Sequence, residues 1–181
     1  VLNNSEIKLT DMSSNQTLLF KAKNLFASYR NNIIKIHSNF IHQASPNPIT
    51  LVYRGELKDD KIESKIFVSG NSIKIPYSLL PNPMQNFKSN QMSLRVWLNL
   101  SDTNVIRASG NISTDRLSMN IGKSIYTVEN INSDILFVKE KESETLSLMR
   151  MNYVINDTNI SNNKIVVSKD NKRNMKIFIK E

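Results

Sequence analysis

The stretch from Met92 to Leu100, MSLRVWLNL, alternates between apolar and mostly polar positions. Because successive side chains of a β-strand point to opposite faces, this pattern predicts a strand with one apolar face. That face carries Met92, Leu94, Val96, Leu98 and Leu100. Trp97 falls on the opposite, polar face, next to Arg95 and Asn99.

The same period of two recurs along the chain, between short polar clusters. It appears in Ile34 and Ile36 with Phe40, in Ile49, Leu51 and Tyr53, in Ile62 with Ile66 and Val68, in Leu117, Met119 and Ile121, in Leu146 and Leu148, and in Ile177 and Ile179. The polar clusters are typical of tight turns, so consecutive strands should pair antiparallel. The sequence therefore predicts an all-β antiparallel meander.

Three of the five prolines lie between residues 75 and 83. Proline cannot donate a hydrogen bond to a central strand ladder. We therefore expect a proline-rich crossing at 75–83 that divides two meanders, with at most one short helical turn near residues 76–81. The whole chain, 1–181, is expected to form a single β domain and to be a segment of a longer protein.

The apolar face of such a meander must be covered, and the sequence has no long amphipathic helix to cover it. Three arrangements solve this problem: two sheets packed as a sandwich, a closed barrel, or an open curved sheet whose apolar face forms a groove for a ligand. The open sheet requires an apolar ligand, the barrel allows one, and the sandwich needs none.

Catalytic and cofactor motifs are missing from the sequence. There is no cysteine, so Cys-ligated zinc and iron–sulfur clusters are excluded. The two histidines, His37 and His42, are five residues apart and would lie on opposite faces of one strand, where they cannot share a metal ion. The four glycines form no nucleotide-binding or nucleophile-elbow motif. We expect no enzyme activity, no cofactor and no metal site.

The net charge of +8 favours an anionic partner. Its densest cluster is C-terminal and contains Lys169, Lys172, Arg173 and Lys176. These residues are our candidates for contact with lipid head groups at an anionic membrane surface. Aromatic residues are only 7% of the chain, which leaves few stacking platforms, so we do not expect nucleic acid as a partner.

A resemblance to a known family rests on the order of several strand-and-turn segments. They are LNNSEIKLTD (2–11), LLFKAKNLFASYRNNIIKIHSNF (18–40), ITLVYRGELKDD (49–60), KIFVSGNSIKIPYSLLP (65–81) and SLRVWLNLSDTNVIRASGNISTDRLSM (93–119). Together they resemble the AsmA-like superfamily of Gram-negative envelope proteins, and most nearly a YhdP-type internal region, a relative of TamB. These segments predict a strand closing on Gly55, a strand that reaches Gly70 and is followed by a short strand and a Leu-rich turn, and, after the polar turn at 101–104, a Gly-containing strand followed by another apolar strand.

The resemblance implies a periplasmic protein, tethered to the inner membrane by a helix outside this chain, that contributes to outer-membrane biogenesis. Its apolar β-groove would guide phospholipid between the inner and outer membranes, with acyl chains as the bound partner. We expect the groove lining to be Ile66, Val68, Met92, Leu94, Val96, Leu98, Leu117, Met119 and Ile121. The alternative is a β-sandwich binding or adhesion module with a dry core that recognises protein or glycan.

Overall fold

The structure, a computed structural model, describes residues 2–11, 16–42, 45, 47–58, 61–74, 87–89, 91–102, 104–121, 124–155, 157–170 and 174–180. Nearly all of them lie in twelve strands. These are β1 (Leu2–Asp11), β2 (Gln16–Arg30), β3 (Ile33–His42), β4 (Ile49–Lys58), β5 (Lys61–Ile73), β6 (Phe87–Ser89), β7 (Met92–Ser101), β8 (Asn104–Ile121), β9 (Ser124–Lys139), β10 (Ser143–Ile155), β11 (Thr158–Asp170) and β12 (Met175–Lys180). In this described part there is no helix, and so none that is long and apolar enough to cross a membrane.

All twelve strands belong to one antiparallel sheet. Its order is β1-β2-β3-β4-β5-β7-β8-β9-β10-β11-β12, and the short β6 pairs with β8 beside the end of β7. The first and last strands lie at opposite edges and do not pair with each other, so the sheet is open. The all-β meander with a groove-like sheet is therefore confirmed, in its open form. Neighbouring strands are spaced by about 4.8 Å, which makes the sheet roughly 48 Å wide across its eleven-strand path.

Short polar turns connect several neighbouring strands. Asn31 and Asn32 connect β2 to β3 with positive φ angles of 50° and 59°. Asp102 at the β7–β8 turn and Asp157 at the β10–β11 turn also have positive φ, which short polar side chains tolerate better than bulky ones do. These turns hold each hairpin in the antiparallel register.

Three predicted strand ends are wrong. The strand that begins at Ile49 does not close on Gly55 but continues to Lys58, and β5 runs through Gly70 to Ile73. The Gly-containing strand and the apolar strand predicted to follow it are one strand, β8. The reason is that β9 pairs with β8 along nearly its whole length, and this long ladder carries the chain through short polar stretches. The proline-rich crossing and its helical turn lie outside the described residues, whereas β5 and β7, on either side, pair directly.

Register shifts interrupt β2, β5, β9, β10 and β11 at a similar level of the sheet, called here the line of bulges, whereas the β3–β4, β4–β5 and β8–β9 ladders are regular. Register shifts occur at Lys23 in β2, at Asn71 and Ser72 in β5, and at neighbouring positions in β9, β10 and β11. The shifted segments contain the positive-φ residues Ser72, Asn130, Arg150 and Asn162. Bulges bend a strand and increase its local twist, so the bulged strands are expected to bend at this level.

Buried side chains gather along this line. Ala22, Ser38, Ile73, Thr114 and Ser133 are all nearly inaccessible to solvent. The strand register places all five on the same face as Val96 and Leu98. This pattern indicates that the sheet bends toward its apolar face along the line of bulges.

Candidate functional site

The apolar face is built from cross-strand rows that run perpendicular to the strands. Directly paired residues of neighbouring antiparallel strands project to the same side. The first row contains Ala27, Ile36, Tyr53, Ile66, Leu98, Ala108, Phe137, Leu146, Val167 and Ile177. The second row, two residues along, contains Leu25, Ser38, Leu51, Val68, Val96, Gly110, Ile135, Leu148, Ile165 and Ile179. Together they form a continuous apolar band across ten strands.

This band is not covered by the rest of the described chain. Among the residues whose side chains are described, the only buried hydrophobic ones are Ala22, Ile73 and Ala108. The larger ones on the band are half-buried, as for Val68 and Val96, and at the β12 edge Ile179 is 70% exposed. A globular domain of this size normally hides far more apolar surface, so the band is available to a ligand or partner.

Six of the nine predicted lining residues come together in the middle of this face. Ile66 pairs with Leu98 and Val68 with Val96, and Leu94 and Met92 continue the same face of β7. All six side chains are half-buried.

The other three, Leu117, Met119 and Ile121, lie beyond the line of bulges, in the part of β8 that pairs with β6 and β9. Leu117 is half-buried there, and the side chains of Met119 and Ile121 lie outside the described part. Along β8 these three odd-numbered positions alternate with Ile112 and Thr114, which lie on the apolar face, so register does not join them to the other six.

Sequence reasoning missed most of the band's width. Ile36, Leu51, Tyr53 and Leu148 lie in runs that the period of two identifies as strands, yet their place beside Ile66 and Val96 follows only from the strand order. Phe137 and Ile165 gave a weaker signal, because they stand in continuous apolar runs, Ile135–Val138 and Ile165–Val167, with no alternation.

The predicted basic cluster is only partly described, and it is mixed in charge. Lys169 is exposed and pairs across the ladder with Glu144, in a shallow depression also lined by Glu140 and Asp170. Lys176 is exposed on the edge strand β12, and Lys172 and Arg173 lie outside the described residues. The neighbouring carboxylates reduce the positive potential around Lys169.

The opposite face carries two further rows that the sequence did not reveal. The aromatic row comprises Phe26, His37, Val52, Phe67 and Trp97 on five neighbouring strands. The cationic row, two residues along those strands, comprises Lys35, Arg54, Lys65 and Arg107, with Asn99 between the last two. On the other side of the aromatic row, a polar depression of about 960 Å³ is lined by side chains that include Thr50, Ser69, Arg95, Asn111 and Asp134.

The groups that could support chemistry are dispersed. His37 belongs to the aromatic row, with its ring stacked on Phe26 at a centroid distance of 6.5 Å. The described residues include no cluster of three or more histidine, aspartate or glutamate side chains arranged to hold a metal ion. The hydrogen bond and ion pair with Lys139 lower the pKa of the Glu144 carboxyl below its ordinary value.

Comparisons with protein-family models, with curated proteins and with solved structures give no significant match. The two faces of the sheet are therefore the basis for inferring function.

Proposed function

We propose that this chain is a segment of a lipid-conduit protein, and that phospholipid acyl chains lie on the apolar face of its open sheet. The observation that carries this proposal is the half-exposed apolar band, continuous across ten strands and uncovered in the described part of the chain. Exposing such an apolar band to water is energetically unfavourable. An acyl chain would cover it without requiring any special polar group.

The energetics suit transport rather than tight binding. Each methylene moved from water to the band contributes about 0.8 kcal/mol, so a whole acyl chain is held by many weak contacts. The band runs across the strands from β2 to β12 and repeats similar side chains at most strands. A lipid displaced by one strand would therefore meet nearly the same surface. Met92 adds an unbranched, adaptable side chain suited to varied ligands.

The cellular setting of the proposal comes from the resemblance to AsmA-like envelope proteins. In that setting the chain would lie in the periplasm, the protein would be tethered to the inner membrane by a helix outside this chain, and phospholipid would move between the inner and outer membranes. No step of this transport needs a catalytic residue or a cofactor.

Native mass spectrometry of the chain, purified without detergent from a Gram-negative host, tests this proposal. We expect adducts with phospholipid masses on the wild-type chain. Val96→Asp should remove them, and Asn99→Asp, which adds the same charge on the opposite face of β7, should keep them. A wild-type chain that carries no lipid, and takes up none when incubated with phospholipid, would contradict the proposal.

A second candidate is a binding or adhesion module, and the polar depression on the opposite face favours it. Hydroxyl, amide and guanidinium groups from Thr50, Asn111 and Arg95 line that depression and could hydrogen-bond a glycan. A glycan array separates the two candidates. If a chain that carries no lipid binds a glycan, and Arg95→Ala abolishes that binding, the result would favour the binding module.

A further inference from the structure

The face opposite the apolar band combines exposed aromatic side chains with cations that form no ion pair among the described residues. Trp97 is 53% exposed and Phe26 is 50% exposed, although both are large apolar residues. The ring of Trp97 lies against that of Phe67, with centroids 4.5 Å apart, and Val52 links this pair to Phe26 and His37. The five side chains form a ridge about 19 Å long, since it crosses four strand spacings.

The cationic row runs beside this ridge. Lys35, Arg54 and Lys65 lie on three adjacent strands, and Arg107 lies two strands further on. Each cation except Arg107 is two residues from a member of the aromatic row on its own strand, a distance of roughly 7 Å. The charges and the ridge therefore form one surface.

The positive charge of this row is only partly offset by the described residues, because Glu56 and Glu63, two residues from Arg54 and Lys65 on the same face, share a single lysine partner. The carboxylates nearest along the strands, Glu56 and Glu63, form ion pairs with Lys58, at 3.5 Å and 3.8 Å. Among the described residues, none of the four cations in the row forms an ion pair with a carboxylate. An anionic partner would meet four available charges here, more than at the mixed cluster around Lys169.

An apolar depression lies where the two rows meet. It has a volume of about 490 Å³ and is walled by Phe26, His37 and Val52, with Lys35 and Arg54 also lining it. Such a site matches an amphipathic anion whose apolar part is covered by the ring and methyl groups while its charged part meets the cations.

We propose that this surface, made of the aromatic row and the cationic row, docks the protein on the surface of an anionic lipid bilayer. Aromatic side chains are favoured at the membrane–water interface, and lysine and arginine beside them reach the lipid phosphates. The docking surface lies on the opposite face from the proposed groove. Binding there does not depend on lipid in the groove.

Two features of the ridge favour a bilayer over a single-stranded nucleic acid. Val52 at its centre offers no flat ring on which a base could stack, and the rings of Phe67 and Trp97 lie partly against each other, tilted by 38°. A nucleic-acid platform would present separate, open ring faces along the strand path. An interfacial ridge needs only apolar side chains that protrude.

Trp97 is the only tryptophan of the chain, so its fluorescence reports directly on this surface. We expect its emission to shift to shorter wavelength when vesicles of phosphatidylcholine with phosphatidylglycerol are added. Brominated acyl chains in those vesicles should quench it. Pure phosphatidylcholine vesicles should have little effect, and high salt should reverse the binding because it screens the charges.

The variant Lys35→Gln, Arg54→Gln, Lys65→Gln tests the cationic row and leaves the probe in place. Each cation near an anionic surface is worth about fivefold in partitioning, so the triple variant should bind roughly a hundredfold more weakly. The matched control removes the same charge at exposed lysines outside both rows: Lys61→Gln, Lys74→Gln and Lys164→Gln. It should lose much less binding, and circular dichroism should show both variants folded.

Three results would overturn the proposal. The first is no spectral shift of Trp97 with anionic vesicles at low salt. The second is an equal loss of binding in the two triple variants, which would mean that net charge alone attracts the protein. The third is tighter binding of oligothymidylate than of vesicles, which would assign the surface to single-stranded nucleic acid. None of these results depends on whether the apolar face binds lipid, because that binding is read separately by mass spectrometry.

Discussion

The hydroxyl oxygen of Tyr53 lies 3.0 Å from that of Ser64, across the ladder between β4 and β5. Ser64 pairs directly with Gly55, and the Tyr53 ring lies over the space where Gly55 lacks a side chain. The ring therefore lies along the apolar face, and its hydroxyl is satisfied within the sheet. The Tyr53 hydroxyl, a polar group on the band, therefore does not need a hydrogen bond from water.

Two glycines of the apolar face, Gly55 and Gly110, should respond differently to substitution by alanine. At Gly55 a new Cβ atom would meet only the ring end of Tyr53, which can turn away, so the cost should be about 1 kcal/mol or less. At Gly110 it would lie 2.8 Å from the Cα atom of Val96 and closer still to the Arg95 carbonyl oxygen. Backbone in a ladder cannot move aside, so Gly110→Ala should cost about 1–3 kcal/mol in urea unfolding. Equal losses of unfolding free energy at the two sites would show that the backbone beside Gly110 moves as easily as the ring of Tyr53.

Two serines that are equally buried should show opposite effects on stability. Ser38 is 1% exposed between Leu25 and Leu51, and its hydroxyl has no hydrogen-bond partner among the described residues. Ser133 is also 1% exposed, but its hydroxyl donates to the carbonyl oxygens of Asp134 and Met149. Ser38→Ala should leave stability unchanged or raise it, whereas Ser133→Ala should lower it by about 1 kcal/mol. Thermal unfolding of both variants measures the difference, and a clear loss in Ser38→Ala would show that this hydroxyl is satisfied.

Glu144 should titrate below its ordinary pKa. Its Oε1 lies 2.9 Å from Nζ of Lys139, and the hydrogen bond and the charge both favour the carboxylate. In the unfolded chain the pKa returns to its ordinary value, so the stabilisation is fully present above that value and is lost as the pH falls through the lowered pKa. Carbon-13 NMR should show the pKa rise in Lys139→Gln. Lys141→Gln removes the same charge from the adjacent turn and should change the pKa of Glu144 much less. An identical change of this pKa in both variants would contradict a specific Glu144–Lys139 pair.

The sequence predicted the strands well because their faces differ in polarity. The alternation at 92–100 identifies both the strand and the face that carries Val96. Asparagine and aspartate at the turns identify the hairpins, since these side chains tolerate positive φ. Strand order then follows from short connections, so most of the meander could be predicted without coordinates.

What the sequence could not predict depends on residues that are distant along the chain. The line of bulges uses Ser72, Arg150 and Asn162, none of which is a glycine that would mark such a site. Lys35, Arg54 and Lys65 are isolated cations in the sequence and become neighbours only through the strand register. The C-terminal lysines are clustered in the sequence and were therefore easier to identify as a site for an anionic partner. They are a weaker candidate because carboxylates in neighbouring strands and turns lie beside Lys169.

A new carboxylate should be tolerated on the apolar band and not at the line of bulges. Val96 is half-buried on a face that meets water when no lipid is bound, so Val96→Asp should fold with a cooperative melt. Ile73 is 2% exposed, and Ile73→Asp would bury an unpaired charge at a cost of several kcal/mol. Because total stability is typically about 5–15 kcal/mol, that variant should be largely unfolded or strongly destabilised. A Val96→Asp chain that also fails to fold would mean that the band is a dry core.

The proposed lipid conduit is tested most directly by photocrosslinking from the two faces of the same strand. Ile112 pairs with Leu94 on the apolar face, and its neighbour Ser113 pairs with Ser93 on the opposite face. Both side chains are half-buried, so a photoreactive residue at either position has similar access to solvent. With phospholipid bound to the purified protein and free vesicles removed, we predict crosslinks to lipid from position 112 and few or none from position 113. Equal crosslinking from both positions, or none from position 112, would contradict the claim that acyl chains lie on the apolar face.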